Sequence, residues 1–217
     1  MKRRQFSALA AGAALGVGRP GLVRAQVESP VIATASDFTA ITPPLPVSMP
    51  PGEVEVVEFF SFACPYCFAF ETPLEAWLPS KPPEVRFRRS PVPFEQNFRN
   101  FQPMYFALES LDPVGRMPRR IFDAVHKEHL RLDNIRDIAA FMQRNGVDAD
   151  KFVDAFTSPG TAAKVAQANE LFHASGANSV PMMMVQGRFL TSPAIARGYD
   201  KVLAVVDRLA EQARAAG

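Results

Sequence analysis

The sequence predicts an α/β fold in which a block of helices interrupts a small sheet. Three observations carry this. A strand candidate at residues 53–62 runs directly into a helix candidate. Apolar residues then fall at helical spacing from about residue 97 to residue 175. Strand character returns at residues 181–190, ahead of a final helix. The 217 residues suit one domain, or one domain carrying a large insertion.

Residues 1–25 hold five basic residues, Lys2, Arg3, Arg4, Arg19 and Arg24, and no acid. A basic start, an apolar run from Phe6 to Val17 and the ending Val23-Arg24-Ala25 make an export signal peptide, with cleavage expected after Ala25. Arg3-Arg4 before Gln5-Phe6 resembles a twin-arginine signal; the general secretory route is the alternative. The net charge is +2 for the whole chain and −3 without this segment. Neither is the basic balance of a nucleic-acid binder. The longest later stretch without Asp, Glu, Lys or Arg, Leu171 to Gly187, is broken by His173, Gly176, Asn178 and Pro181. It lacks the run of ~20 apolar residues that a spanning helix needs. The mature chain is expected to be soluble and outside the cytoplasm, in an oxidising compartment. An apolar content of 47% and a charged content of 21% are ordinary for a protein with a buried core.

Residues 26–52 form a proline-rich lead-in. Phe38-Thr39-Ala40-Ile41 fits a short edge strand before Pro43, Pro44, Pro46, Pro50 and Pro51 block regular structure. In Glu53–Phe62, Val54, Val56, Val57, Phe59 and Phe60 predict a strand covered on both faces. A helix should start at Cys64-Pro65-Tyr66-Cys67, because Pro65 suits the first turn, where its missing N–H is not needed. Pro73 should kink that helix or split it. Val85 to Ser90 is a second strand, with Val85 and Phe87 alternating against Arg86 and Arg88. Five helices follow. Their apolar stripes are Phe98, Phe101, Tyr105 and Leu108; Ile121, Phe122 and Val125; Ile135, Ile138, Ala139 and Met142; Phe152 and Phe156; and Val165, Leu171 and Phe172. Asp133-Asn134 and Ser158-Pro159 are start signals, and Gly146 and Gly176 are stops. Met182 to Leu190 predicts a hairpin turning on the two residues Gln186-Gly187. Ser192-Pro193 should open a final helix with Ile195, Val202, Leu203, Val206 and Leu209 on its buried side.

Both cysteines of the chain sit in one Cys-x-x-Cys, which excludes a disulfide-dense scaffold and any four-cysteine metal site. An isolated pair can be half of a zinc site, a redox pair or chance; chance fits poorly when no cysteine lies elsewhere. The redox reading has a physical basis. At a helix N-terminus, unpaired N–H groups and the helix dipole stabilise a Cys64 thiolate. Cys67, one turn on, lies on the inner side and resolves the mixed disulfide formed at Cys64.

Glu58-Phe59-Phe60-Ser61-Phe62-Ala63-Cys64-Pro65-Tyr66-Cys67 resembles the active site of the DsbA family of periplasmic thiol-disulfide oxidoreductases. Ser179-Val180-Pro181 resembles that family's cis-proline loop, and the helical block matches its inserted domain in position and size. The resemblance implies a thioredoxin fold with an inserted all-helical domain. Residues 26–94 and 177–217 would form the thioredoxin-like part, and residues 95–176 the insertion. It implies that the Cys64–Cys67 disulfide is donated to reduced exported proteins during oxidative folding. A DsbB-like membrane quinone reductase would reoxidise the pair, with no bound cofactor and with a monomeric protein. It implies a cis Val180–Pro181 bond beside the cysteines, where the extended backbone around Val180 can hydrogen-bond a substrate strand. Glu58 would lie beneath the site and relay protons to Cys67; the alternative is a solvent-facing edge carboxylate. Pro65 matches the family, whereas Tyr66 stands where it often has histidine, which leaves the reduction potential open. Arg89 stands where it often has lysine; it can pair with Glu58 but cannot give up a proton.

Other candidates have plainer explanations. His126 and His129 have metal-ligand spacing but sit beside Lys127 and Glu128, as on a solvated helix face. His173 has no assigned role. Met182, Met183 and Met184 fit either an adaptable surface or alternate burial in the sheet. Phe94, Phe98 and Phe101 fit either a groove or core packing. Rival functions are a disulfide reductase, a single-substrate oxidase, and a non-redox holdase or metal-binding protein.

Overall fold

The computed structural model describes residues 36–93, 99–111, 115 and 117–216. The export signal expected at 1–25, the groove candidates Phe94 and Phe98, and the start of the helical insertion lie outside the described residues.

The site is organised by strand β2 (Val54–Phe60), whose residues alternate between two covered faces. Val54 and Val56 pack under α1 (Pro65–Trp77) and α7 (Tyr199–Ala215), with Phe70, Leu74, Val202 and Val206. Val57 and Phe59 face the other way, onto Leu171 and Phe172 of α6 (Pro159–Ser175). Through α1 the chain returns to β3 (Val85–Pro91), which runs parallel to β2 and sets Arg89 beside Glu58. Residues in register on neighbouring strands share a face, so both side chains point under α1.

The expected split at Pro73 does not occur: α1 is one helix from Pro65 to Trp77. Phe70, Leu74 and Trp77, on either side of the proline, are buried in one apolar cluster that ties the two halves together. Helices α2 (Phe101–Ser110), α3 (Met117–His126), α4 (Ile135–Arg144), α5 (Ala149–Phe156) and α6 follow. The start signals act as expected. Asn134 accepts from the Asp137 N–H and Ser158 from the Thr161 N–H; Asp148, a cap the sequence reading did not name, accepts from the Lys151 N–H. Gly176 closes α6 in the left-handed conformation, at φ 74°.

β4 (Met182–Val185) lies antiparallel to β2, and β5 (Phe189–Thr191) pairs with both β4 and β1 (Thr39–Ala40). The sheet order is β1-β5-β4-β2-β3. The hairpin differs from expectation. Gln186 and Gly187 do take positive φ, as a two-residue turn requires, but the ladder pairs Val185 with Phe189 and leaves Arg188 in the loop. The lead-in captures the loop carbonyls: Ile41 N–H bonds Arg188 and Leu45 N–H bonds Gly187. A Cβ on Gly187 would stand 2.5 Å from the Leu45 oxygen, so the close approach needs glycine. The last helix starts at Tyr199 rather than at Pro193; Ser192 to Gly198 form turns in which Ala196 N–H bonds Ser192 and Gly198 N–H bonds Pro193. Among the described residues, no helix is long and apolar enough to cross a membrane.

Candidate active site

Ser61, Phe62 and Ala63 turn the chain from β2 into α1. Cys64 N–H bonds the Ser61 carbonyl at 3.1 Å and Ala63 N–H bonds Ser61 Oγ at 3.2 Å. Cys64 is the extended N-cap of α1 with no side-chain cap, and Pro65 follows. No side-chain hydrogen bond satisfies the first turn of α1, and its Tyr66 and Cys67 N–H groups act on the neighbouring Cys64 sulfur by lowering its pKa. The Val180–Pro181 peptide bond is cis. The Cys64 thiol donates to the Val180 carbonyl at 3.5 Å, across 116 positions of sequence. Cys64, Cys67, Pro65, Val180 and Pro181 thus meet at one place, with Tyr66 67% exposed on the rim.

The two cysteines are free thiols here and differ electrostatically. A hydrogen bond from the Cys67 thiol lowers the Cys64 pKa from 9.0 to about 6; burial opposes it and the Cys67 and Tyr66 N–H groups add to it. Cys67, fully buried, is pushed up by desolvation, by its bond to Cys64 and by the Glu58 charge.

Glu58 is 1% exposed, so it is not an edge carboxylate. Burial raises its pKa to about 7 against the opposing pull of Arg89. Arg89 Nε lies 2.9 Å from Glu58 Oε2, an ion pair whose angle falls short of a hydrogen bond. Its NH2 group bonds Glu71 Oε2 at 2.8 Å. Two buried carboxylates thus share one guanidinium, and burial pushes Glu71 upward as well. Sequence reasoning missed Glu71. The available signal was its i+4 spacing from Cys67, which puts a charge on the inner stripe of α1 beside Phe70 and Leu74.

Two other expectations are corrected, and for Phe101 the core-packing reading holds. His126 is not on a solvated face: its Nε2 lies 2.8 Å from the Phe62 carbonyl and its ring stacks on Phe68. Met182, Met183 and Met184 are all buried, because both faces of β4 are covered. Phe101 belongs to the core. Tyr199, not singled out before, stacks on Phe70, and its pKa is raised by burial and by the nearby cysteines. Among the described residues, no group of three or more His, Cys, Asp or Glu side chains could hold a metal.

A mixed sheet flanked by α1 and α7, with Cys-x-x-Cys at a helix N-terminus against a cis-proline loop, defines a thioredoxin-fold thiol:disulfide oxidoreductase. Comparison with known proteins narrows the class. Residues 95–210 match the family model described as a DSBA-like thioredoxin domain. Thiol:disulfide interchange protein DsbA of Burkholderia cepacia is 34% identical over 192 residues, 88% of this chain and 90% of that protein. The Bordetella pertussis protein of the same name is 33% identical over 215 residues, 99% of this chain and 100% of that protein, a span that includes the cysteines. A crystal structure of Pseudomonas aeruginosa DsbA superposes with a TM-score of 0.79 at 33% identity, covering 83% of this chain and 93% of that one. The chain belongs to the DsbA family, and its fold is the thioredoxin fold with a helical insertion.

Proposed function

We propose that this thiol:disulfide oxidoreductase acts as an oxidase, donating a Cys64–Cys67 disulfide to reduced exported proteins in the periplasm. The carrying observation is the placement of the two thiols: Cys64 caps α1 against the carbonyl before the cis-proline, where its pKa is lowered, and Cys67 is buried behind it, where its pKa is raised. A substrate thiolate attacks Cys64 Sγ, breaks the Cys64–Cys67 bond and forms a mixed disulfide. The departing Cys67 sulfur takes a proton from Glu58, whose raised pKa keeps it protonated below about pH 7. A second substrate thiolate attacks the substrate sulfur and expels Cys64 as a stabilised thiolate. The substrate loses two electrons and the protein pair gains them. A membrane quinone reductase resembling DsbB restores the disulfide.

The Val180 backbone and the exposed Tyr66 ring would align the substrate strand. Residues 95–176 are assigned as the inserted helical domain and residues 1–25 as the export signal, on the twin-arginine or the general route. The decisive experiment traps partners with Cys67→Ala in the export compartment. Many exported proteins joined through Cys64 support a general oxidase, and one dominant partner would make the role dedicated. None, with full activity kept by the double Cys64→Ala, Cys67→Ala variant, would favour a holdase and overturn the reading.

A further inference from the structure

Among the described residues, the backbone of the turn that presents Cys64 has one tether from outside its own segment. The Ser61 carbonyl is taken by Cys64 N–H, the Ala63 N–H by Ser61 Oγ, and the Cys64 carbonyl by Phe68 N–H. The Phe62 carbonyl instead meets His126 Nε2 at 2.8 Å, from the last residue of α3. A carbonyl only accepts, so Nε2 carries the proton. The imidazole is held in place from the side as well: it stacks on Phe68 with centroids 5.0 Å apart and 9° between planes, and on Phe122 at 6.1 Å and 28°. Helix α3 also grips the far half of α1, where the Arg119 guanidinium bonds Thr72 Oγ1 at 3.1 Å. Helix α3 thus holds the chain on both sides of the cysteines, at the Phe62 carbonyl in the turn before α1 and at Thr72 within it.

We infer that His126 is a positioning residue for the redox pair, holding the Phe62 carbonyl and with it the turn that sets the Cys64 sulfur against the N-terminus of α1. Two effects follow from the geometry. The Phe62–Ala63 peptide plane is fixed, so the Cys64 sulfur keeps its place against the Tyr66 and Cys67 N–H groups. The negative end of the Phe62 carbonyl is turned onto a donor in α3. Loss of the tether frees the turn and weakens the hydrogen bonds that stabilise the thiolate. The consequence for catalysis rests on the oxidase reading; the tether itself does not.

His126→Phe keeps a ring to stack on Phe68 and removes the donor, whereas His126→Gln keeps an N–H at similar reach and removes the ring. In reduced protein, the thiolate absorbance near 240 nm gives the Cys64 midpoint. H126F should raise it by roughly half a unit to one unit and slow alkylation at neutral pH, while H126Q stays near wild type. An unchanged H126F midpoint, or an H126Q midpoint raised as far as that of H126F, overturns the inference. A packing role alone would lower stability without moving the midpoint. If H126F does not fold, His126→Met makes the same donor comparison. The shift is read relative to wild type; a wild-type midpoint near 9 would count against the oxidase reading and leave the tether to be judged on its own.

Discussion

Cys64 and Cys67 share one helical turn, yet their surroundings drive them apart. The largest influence on Cys64 is the Cys67 thiol hydrogen bond. Cys67→Ala should therefore raise the Cys64 midpoint above about 6, seen as a later rise of thiolate absorbance and a slower alkylation rate near that pH. Glu58 supplies the second residue-scale prediction. Its charge acts on Cys67, and in the function proposed above it exchanges a proton with that sulfur; Arg89, always charged, cannot replace it. Glu58→Gln should slow turnover of a reduced substrate by ~10²-fold or more, the lower range for a removed acid–base group. It should also remove the inflection near pH 7 from the rate profile. An unchanged profile would assign the proton transfer to water or to Glu71.

Among the elements, α6 shows how a local signal positions a distant face. Ser158 and Pro159 start it, Gly176 ends it, and its Leu171 and Phe172 cover Val57 and Phe59. Ser158→Ala removes the acceptor for Thr161 N–H and should cost about 1 kcal/mol in urea unfolding. Because the Ser158 hydroxyl bonds neighbours in its own segment, Thr161 and Ala155, the Cys64 midpoint should not move. Element existence was largely legible beforehand: start and stop residues are chemical, and Asn134, Ser158 and Gly176 act where the sequence places them. Boundaries set by long-range partners were not. The hairpin gains Arg188 because lead-in residues capture its carbonyls, and α7 begins late because turns absorb Pro193 to Gly198.

Across the whole molecule, redox state and pH are linked. Cys64 has a folded pKa of about 6 against an ordinary 9.0, so its contribution is present at about pH 9 and is lost as the pH falls through about 6. That contribution belongs to the dithiol form alone. The stability of reduced relative to oxidised protein should fall steadily over this range, measured as the difference between their urea midpoints. Glu58 acts in the opposite sense. Its pKa is raised from 4.5 to about 7, so its contribution is present below about 4.5 and is lost as the pH rises through about 7. Both redox forms carry Glu58, so the difference between them cancels much of its effect. Glu58→Gln should flatten the decline of each form across the same range. A redox difference independent of pH would show that the folded state does not stabilise the Cys64 thiolate.

By itself the sequence determined the chemistry and the order of parts: a single Cys-x-x-Cys at a strand–helix junction, a proline ahead of the late hairpin, and five helices between them. These are local features, written in residue type and spacing. The tertiary structure decided which groups surround the sulfur. Parallel pairing of β2 with β3 puts Arg89 beside Glu58, and α1 lowers Glu71 onto the same guanidinium. Covered faces on both sides of β4 bury all three methionines, and α3 brings His126 to the Phe62 carbonyl. Each of these depends on register, burial or the docking of one element on another. Residue spacing records only that two residues share a face of one helix, as Cys67 and Glu71 do.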